Sequence, residues 1–368
     1  MKIGFDAKRA FHNNSGLGNY SRDLIRILSH GMNDDSFILF NPKSGKHSFN
    51  YNTLNSVEVL PKGLWNNFRS AWRSLETGKL AQKEKLSVYH GLSNELPNRL
   101  GCVKSIVTIH DLIFERFPEW YKPIDRKIYR QKFKSAAQNA DVVVAISEQT
   151  KNDLIDFYQI PEDQIKVIYQ GCHAAFKDNS SSESKEQLRQ KFQLPEKYIL
   201  SVGTIEPRKN LLTIVKAIKD KADINLVIVG RETKYAKEIR VFVSKNQMEN
   251  RVFFLKDVTM AELAGIYQLA SIFAYASQFE GFGIPIIEAL FSKTPVVTST
   301  GSCFSEAGGP DSIYLPFHDV QAWSDEIAEL YTNTIKQNEM AEKGHVFAQK
   351  FQDTEILKNW KNIYNTFR

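Results

Sequence analysis

The chain has 368 residues, 42% of them hydrophobic and 24% charged, which exceeds what one hydrophobic core usually serves and predicts two domains. Its net charge of +6 lies wholly in the first half, where residues 1–180 hold 25 Lys and Arg against 19 Asp and Glu while residues 181–368 hold 23 against 23; this suits an anionic surface or a phosphorylated substrate. Lack of a cleavable leader, of ~18 consecutive apolar residues and of any base-reading motif predicts a cytoplasmic protein that neither spans a membrane nor binds nucleic acid.

In chain order, short β-rich runs alternate with amphipathic stretches, the pattern of parallel sheets covered by helices on both faces. The first half places strands at 2–6, 37–40, 57–60, 87–90, 105–110, 141–147 and 166–169. After the first of these, Ser15-Gly16-Leu17-Gly18-Asn19-Tyr20 opens a helix, and Gly16 would let the backbone come close to a phosphate or sugar. It is not a dinucleotide fingerprint, because counting from Gly16 the third glycine place holds Ser21. Trp65, Phe68 and Trp72 recur at helical spacing beside Arg69 and Arg73, as on an interfacial helix or as a core stripe. His110-Asp111 leaves an apolar strand, so the imidazole should emerge at the binding edge of the first sheet, unless it is a packed structural histidine. Lys122, Arg126, Lys127, Arg130, Lys132 and Lys134 follow along one helix, either a membrane-facing or a solvated face.

Residues 177–184 are polar and free of apolar periodicity and set the boundary between an N-terminal domain at 1–176 and a C-terminal domain at 187–350. Strands follow at 198–202, 225–229, 252–255, 272–276, 295–299 and 313–315. At the end of the first, Gly203 leads to Arg208-Lys209, a bidentate fork and a point charge that suit a diphosphate or, failing that, form a solvated pair. Thr259-Met260-Ala261-Glu262 has the spacing of a capping box. Glu280-Gly281-Phe282-Gly283-Ile284-Pro285 follows a buried strand and, with Pro285 in a first helical turn, presents free N–H groups at a helix start, an anion site. Glu280 before this turn and Glu288 within the helix can both accept hydroxyl hydrogen bonds, the alternative being a tight structural turn with a solvated glutamate. A helix at 353–368 carries Ile356, Leu357, Trp360, Ile363, Tyr364 and Phe367 on one side. Cys102, Cys172 and Cys303 lack any Cys-x-x-Cys spacing and read as reduced packing residues.

Glu280 to Leu290 resembles the Glu-x7-Glu signature of the retaining family-four glycosyltransferases, with Gly203 to Asn210, His110-Asp111 and Ile168-Tyr169-Gln170-Gly171 in that family's order. The bacterial mannosyltransferase branch, which builds surface polysaccharides, is especially similar around Thr108 to Leu112 and Glu206 to Asn210. The resemblance implies the α/β GT-B fold, two Rossmann-like doubly wound domains facing a cleft. The first would take the acceptor and the second the nucleotide sugar, with the terminal helix returning to the first. It implies that Glu288 holds the ribose, Glu280 the donor hexose, Arg208 and Lys209 the diphosphate, and His110 the sugar. Gly16, Gly203, Gly281, Phe282 and Gly283 would complete the donor site. Thr204 stands where many members carry arginine, and Gln170 where asparagine is common.

The reaction so implied is retaining transfer of a hexose, mannose favoured, from a GDP- or UDP-linked donor to a glycan or lipid-linked acceptor. No Asp-x-Asp motif stands at a strand end, so neither a metal nor another cofactor is expected. Peripheral membrane contact would suit the basic first half. The competing readings are a GT-B epimerase or phosphorylase, and a non-catalytic sugar-nucleotide binding module.

Overall fold

The computed structural model describes residues 1–13, 16–44, 49 and 55–368; Ser15 of the first glycine loop lies outside them. It divides into two compact units, Met1–Gly171 with Phe351–Arg368, and Cys172–Lys350. Each is a wholly parallel sheet clad in helices. Apolar runs too uniform to alternate require burial on both faces, and parallel strands with helical crossovers provide it.

The first unit orders its strands β3-β2-β1-β4-β5-β6-β7: β1 (Lys2–Asp6), β2 (Ser36–Phe40), β3 (Ser56–Val59), β4 (Val88–Gly91), β5 (Lys104–Ile109), β6 (Val142–Ala145) and β7 (Ile165–Val167). The order turns back beside β1 and β4, and the loops leaving β1, β4 and β5 gather at one edge. The terminal helix Asp353–Asn365 belongs to this unit. Its Ile356, Trp360, Ile363 and Tyr364 are buried in one core with Ile3, Phe5, Val88 and Ile106, one stripe of a 3.6-residue period. Ion pairs from Arg26 to Asp353 (2.8 Å) and from Arg368 to Asp35 (2.7 Å) hold its two ends.

The second unit orders β10-β9-β8-β11-β12-β13: β8 (Ile199–Val202), β9 (Leu226–Val229), β10 (Val252–Leu255), β11 (Ile272–Tyr275), β12 (Val296–Ser299) and β13 (Ile313–Leu315). Thr259 and Glu262 form the reciprocal capping box at the helix Met260–Leu269. The chain passes between units at Gly171–Cys172, ahead of the polar stretch 177–184. Phe176 is buried edge-on to Tyr267. Ser180 N donates to Gln268 Oε1 (3.0 Å), and Ser181 caps the helix Ser182–Phe192. Polarity there reflects capping chemistry.

Two readings need correction. Trp72 is 1% exposed and packs with Phe40 and Tyr89 in the core. Arg73 is buried too, paired with Asp6, because a buried carboxylate at the end of β1 needs a cationic partner. The helical spacing of Trp65, Phe68 and Trp72 therefore marks a core anchor and not one interfacial face; Leu64 and Phe68 are exposed. Cys102 is exposed, so only Cys172 and Cys303 are packing residues. Among the described residues no helix is long and apolar enough to cross a membrane.

Candidate active site

In the second unit, β8 lies beside β11, and β11 beside β12. The segments leaving these neighbours at their carboxyl ends must meet, which brings 203–210, 277–283 and 301–303 together. A backbone bond from Gln278 N to Arg208 O (2.9 Å) ties the first two. Ser302 Oγ donates to Glu280 O (2.9 Å), and Cys303 Sγ to Phe282 O (2.8 Å), tying in the third.

Glu280, 9% exposed, is the hub. Its Oε1 accepts from Ser277 Oγ (2.6 Å), Tyr275 OH (2.9 Å), Arg208 Nη1 (2.9 Å) and Lys209 Nζ. All of its side-chain hydrogen bonds to described residues fall on that one oxygen, so Oε2 keeps its acceptor capacity. Burial alone would raise the carboxyl, but Lys209 and Arg208 outweigh it and hold the group down to about 2. Burial lowers Lys209, with Glu280 opposing. Arg208 also donates to Phe279 O (2.6 Å) and Glu206 Oε1 (2.8 Å). Arg208 is thus held between two carboxylates, Glu280 and Glu206, while Lys209 is held by Glu280. Gly203, Thr204, Lys209 and Tyr275 line a surface depression beside them.

Gly203 (φ 143°) and Gly283 (φ 113°) both occupy the left-handed region that other residues avoid. Gly283 turns the chain into the helix Ile284–Phe291, with Pro285 in its first turn. Phe282 buries its ring at 3% exposure while Gly281 remains half-buried. Glu288 sits one turn into the helix, 6% exposed, and accepts from Tyr267 OH (3.1 Å).

In the first unit, His110 follows β5 directly and is 5% exposed. Its Nε2 lies 2.9 Å from Leu92 O; a carbonyl only accepts, so Nε2 carries the ring proton. Nδ1 then accepts from Gln170 Nε2 (3.1 Å). Burial lowers the imidazole to about 4, leaving it neutral near pH 7. Asp111 instead caps its own turn, accepting from Ile113 N (3.2 Å). The Tyr20 ring stands edge-on to His110, centroids 4.7 Å apart. Tyr20 OH joins Thr108 Oγ1 (3.1 Å), which joins His90 (2.8 Å), which joins Tyr364 OH of the terminal helix (2.8 Å). Gly16 begins the helix Gly16–Gly31 and is exposed, with open space where a Cβ would stand.

Sequence reasoning singled out Arg208, Lys209, Glu280 and Glu288, but not Tyr275, Ser277, Ser302, Cys303 or Tyr267. Ser277 carried a faint signal, a hydroxyl three residues before Glu280 at a strand end. The others are ordinary packing residue types whose role depends on strand adjacency.

The charge hub predicts a pH-dependent stability. Glu280 ionises at about 2 against an ordinary 4.5, so the stability it contributes is complete above about 4.5 and is lost as pH falls through about 2. Glu280→Gln should cost the second unit about 3–5 kcal/mol at pH 7, the scale for breaking a buried pair. Urea unfolding of both proteins should show this gap narrowing from pH 4.5 downward; equal stability at pH 7 would contradict it.

Comparison with known proteins supports a common origin. The family model described as Glycosyltransferase Family 4 matches residues 14–176, and that described as Glycosyl transferases group 1 matches 184–346. O-antigen chain mannosyltransferase B of Escherichia coli is 26% identical over 387 residues, covering 99% of each chain. O-antigen chain mannosyltransferase RfbU of Salmonella typhimurium is 30% identical over 61% of this chain and 60% of its own. Anabaena HepE, solved with UDP, superposes over the whole of both chains with a TM-score of 0.77 at 17% identity, a likeness of fold. Two parallel doubly wound sheets, a glycine turn with two distinct carboxylates, and these matches together show that the chain belongs to the family-4 glycosyltransferases, hexose-transferring enzymes of the two-domain GT-B fold.

Proposed function

We propose that the protein transfers mannose, with retention of configuration and without a metal, from a nucleoside diphosphate donor to a glycan of a surface polysaccharide. The observation that carries this reading is the convergence of Arg208, Lys209, Tyr275 and Ser277 on one oxygen of Glu280. It supplies fixed cationic side chains beside a carboxylate whose second oxygen accepts from none of the described residues, a combination suited to a sugar diphosphate. The mannosyltransferase names of the relatives support the sugar, and the UDP bound by HepE supports a nucleotide donor. We assign the base to GDP or UDP.

In this reading Glu288 takes the ribose hydroxyls and Glu280 Oε2 a donor hexose hydroxyl. Arg208 and Lys209 take the diphosphate, helped by the Gly203 turn and the amides of Gly281, Phe282 and Gly283. Gly16 and His110 serve the donor from the first domain. The bond from sugar C1 to the diphosphate oxygen breaks as the acceptor hydroxyl oxygen bonds to C1 on the same face. The hydroxyl proton passes to the departing phosphate. The negative charge that develops there is met by cations already in place, so little reorganisation is needed. Among the described residues no group of three or more His, Cys, Asp or Glu side chains could hold a metal ion.

The acceptor reading extends to the membrane. The helix Pro123–Asn139 exposes Ile124, Ile128 and Tyr129, interleaved with exposed Lys122, Lys127 and Arg130, and Leu64 and Phe68 are exposed beside Lys62 and Arg69. Apolar tips among cations suit an anionic bilayer surface. Each cation there adds ~1 kcal/mol before screening. A lipid-linked acceptor would present its sugar at such a surface.

A panel of GDP-mannose, UDP-glucose and related donors, assayed in EDTA with product analysis, tests the chemistry. Arg208→Ala should lower turnover by on the order of 100-fold, and folded Glu288→Ala should bind the preferred donor more weakly by calorimetry. Wild-type activity that chelation abolishes and magnesium or manganese restores would refute the metal-free assignment.

For the membrane reading, vesicles containing phosphatidylglycerol should co-sediment the protein at low salt, and moderate salt should release it. Absence of binding at low salt, together with efficient use of a soluble glycan, would rule it out.

A further inference from the structure

His110 is held from three sides, and each hold uses different chemistry. The Leu92 carbonyl fixes the proton on Nε2, the Tyr20 ring packs perpendicular against the imidazole, and Gln170 donates to Nδ1. The Leu92 carbonyl selects the tautomer, because it can only accept, and the Gln170 amide answers that choice at Nδ1 and fixes the plane of the ring. Leu92 O alone would favour the same tautomer but would leave a buried lone pair unmet, a cost the ring could escape by turning over.

Gln170 is built for this task. It is 4% exposed and lies in the short tail after β7, one residue from the chain's passage out of the first unit at Gly171–Cys172. Its amide reaches back across 60 positions to His110. Asparagine would be one methylene shorter, so the glutamine length is what closes the 3.1 Å contact from this backbone position.

We propose that Gln170 is a positioning residue for His110: by meeting Nδ1 it locks the ring plane of the Nε2–H imidazole that the Leu92 carbonyl selects. This rests on the role given to His110 above. An imidazole that reorients or exchanges tautomers would spend part of its time misaligned with the sugar, and turnover would fall although the nucleotide site in the other unit is intact.

Four proteins test it: wild type, Gln170→Leu, His110→Ala and the double variant. Turnover is measured on GDP-mannose or UDP-glucose, whichever the wild type uses. Gln170→Leu should lower kcat about tenfold, the worth of one ordinary hydrogen bond, while affinity for GDP or UDP without the sugar stays within twofold. Long-range 1H–15N NMR should show the Nε2–H tautomer for His110 in the wild type and, in the variant, an Nδ1 resonance displaced and broadened by loss of its donor. The double variant should be no slower than His110→Ala alone, since Gln170 acts only through the ring. Gln170→Glu, similar in size, serves if the leucine variant fails to fold; its carboxylate should draw a proton to Nδ1 and also lower kcat. Unchanged kcat and unchanged ring nitrogens in either variant would overturn the proposal, as would additive losses in the double. Full activity in His110→Ala would instead remove the role of His110 itself, whereas an inactive His110→Ala beside a fully active Gln170→Leu would fault Gln170 alone.

Discussion

Four donors sharing one oxygen of Glu280 are the constraint on which the second unit's site depends. Arg208 and Lys209 sit in a largely buried setting, where two adjacent cations would repel each other and face the cost of lost hydration. Glu280, together with Glu206 on Arg208, offsets that cost. The arrangement needs β8 beside β11, since only neighbouring strands deliver 203–210 and 277–283 to one place. It also needs a rigid loop, which Ser302 and Cys303 secure from the next strand over. Charge, topology and loop geometry are therefore one requirement seen at three scales. A site assembled this way is organised before any ligand arrives, which is what stabilising a departing phosphate demands.

The first unit solves the opposite problem, keeping an ionisable group uncharged. His110 and His90 are both buried and both held low, at about 4 and about 3, chiefly by burial. Among the described residues neither has a carboxylate hydrogen-bonded to its ring; their partners are a carbonyl, an amide and hydroxyls. Neutral hydrogen-bonded chains of this kind fix geometry without importing charge. Through Tyr364 the chain begins on the terminal helix, so the last residues of the sequence help to shape the edge of the first sheet.

Much of this was legible in the sequence because burial on both faces of a parallel strand leaves an unambiguous apolar run. All thirteen strands among the described residues fall where the expected runs stand, with ends that match or shift by at most two residues. Glu280 and Glu288 were legible because a glycine turn between a strand and a helix start has few structural uses. Periodicity failed at Trp72 and Arg73, since helical spacing states that a face exists and not what covers it. Only the position of Asp6 on β1 reveals that Arg73 turns inward. Gln170 had no readable role, because its partner lies 60 residues away and is reached only when β7 is laid beside β6 and β6 beside β5. The polar stretch 177–184 resembled a linker because helix caps and linkers draw on the same residues.

The central claim is that the nucleoside diphosphate binds the second unit at the meeting of three strand ends. Hydrogen–deuterium exchange of the whole protein with and without saturating GDP or UDP addresses it directly. The account predicts slowed exchange of backbone amides within 202–211 and 279–289, with the strands β9 and β10 unchanged. Protection confined to other segments, with these two loops exchanging as fast as in the free protein, would contradict it.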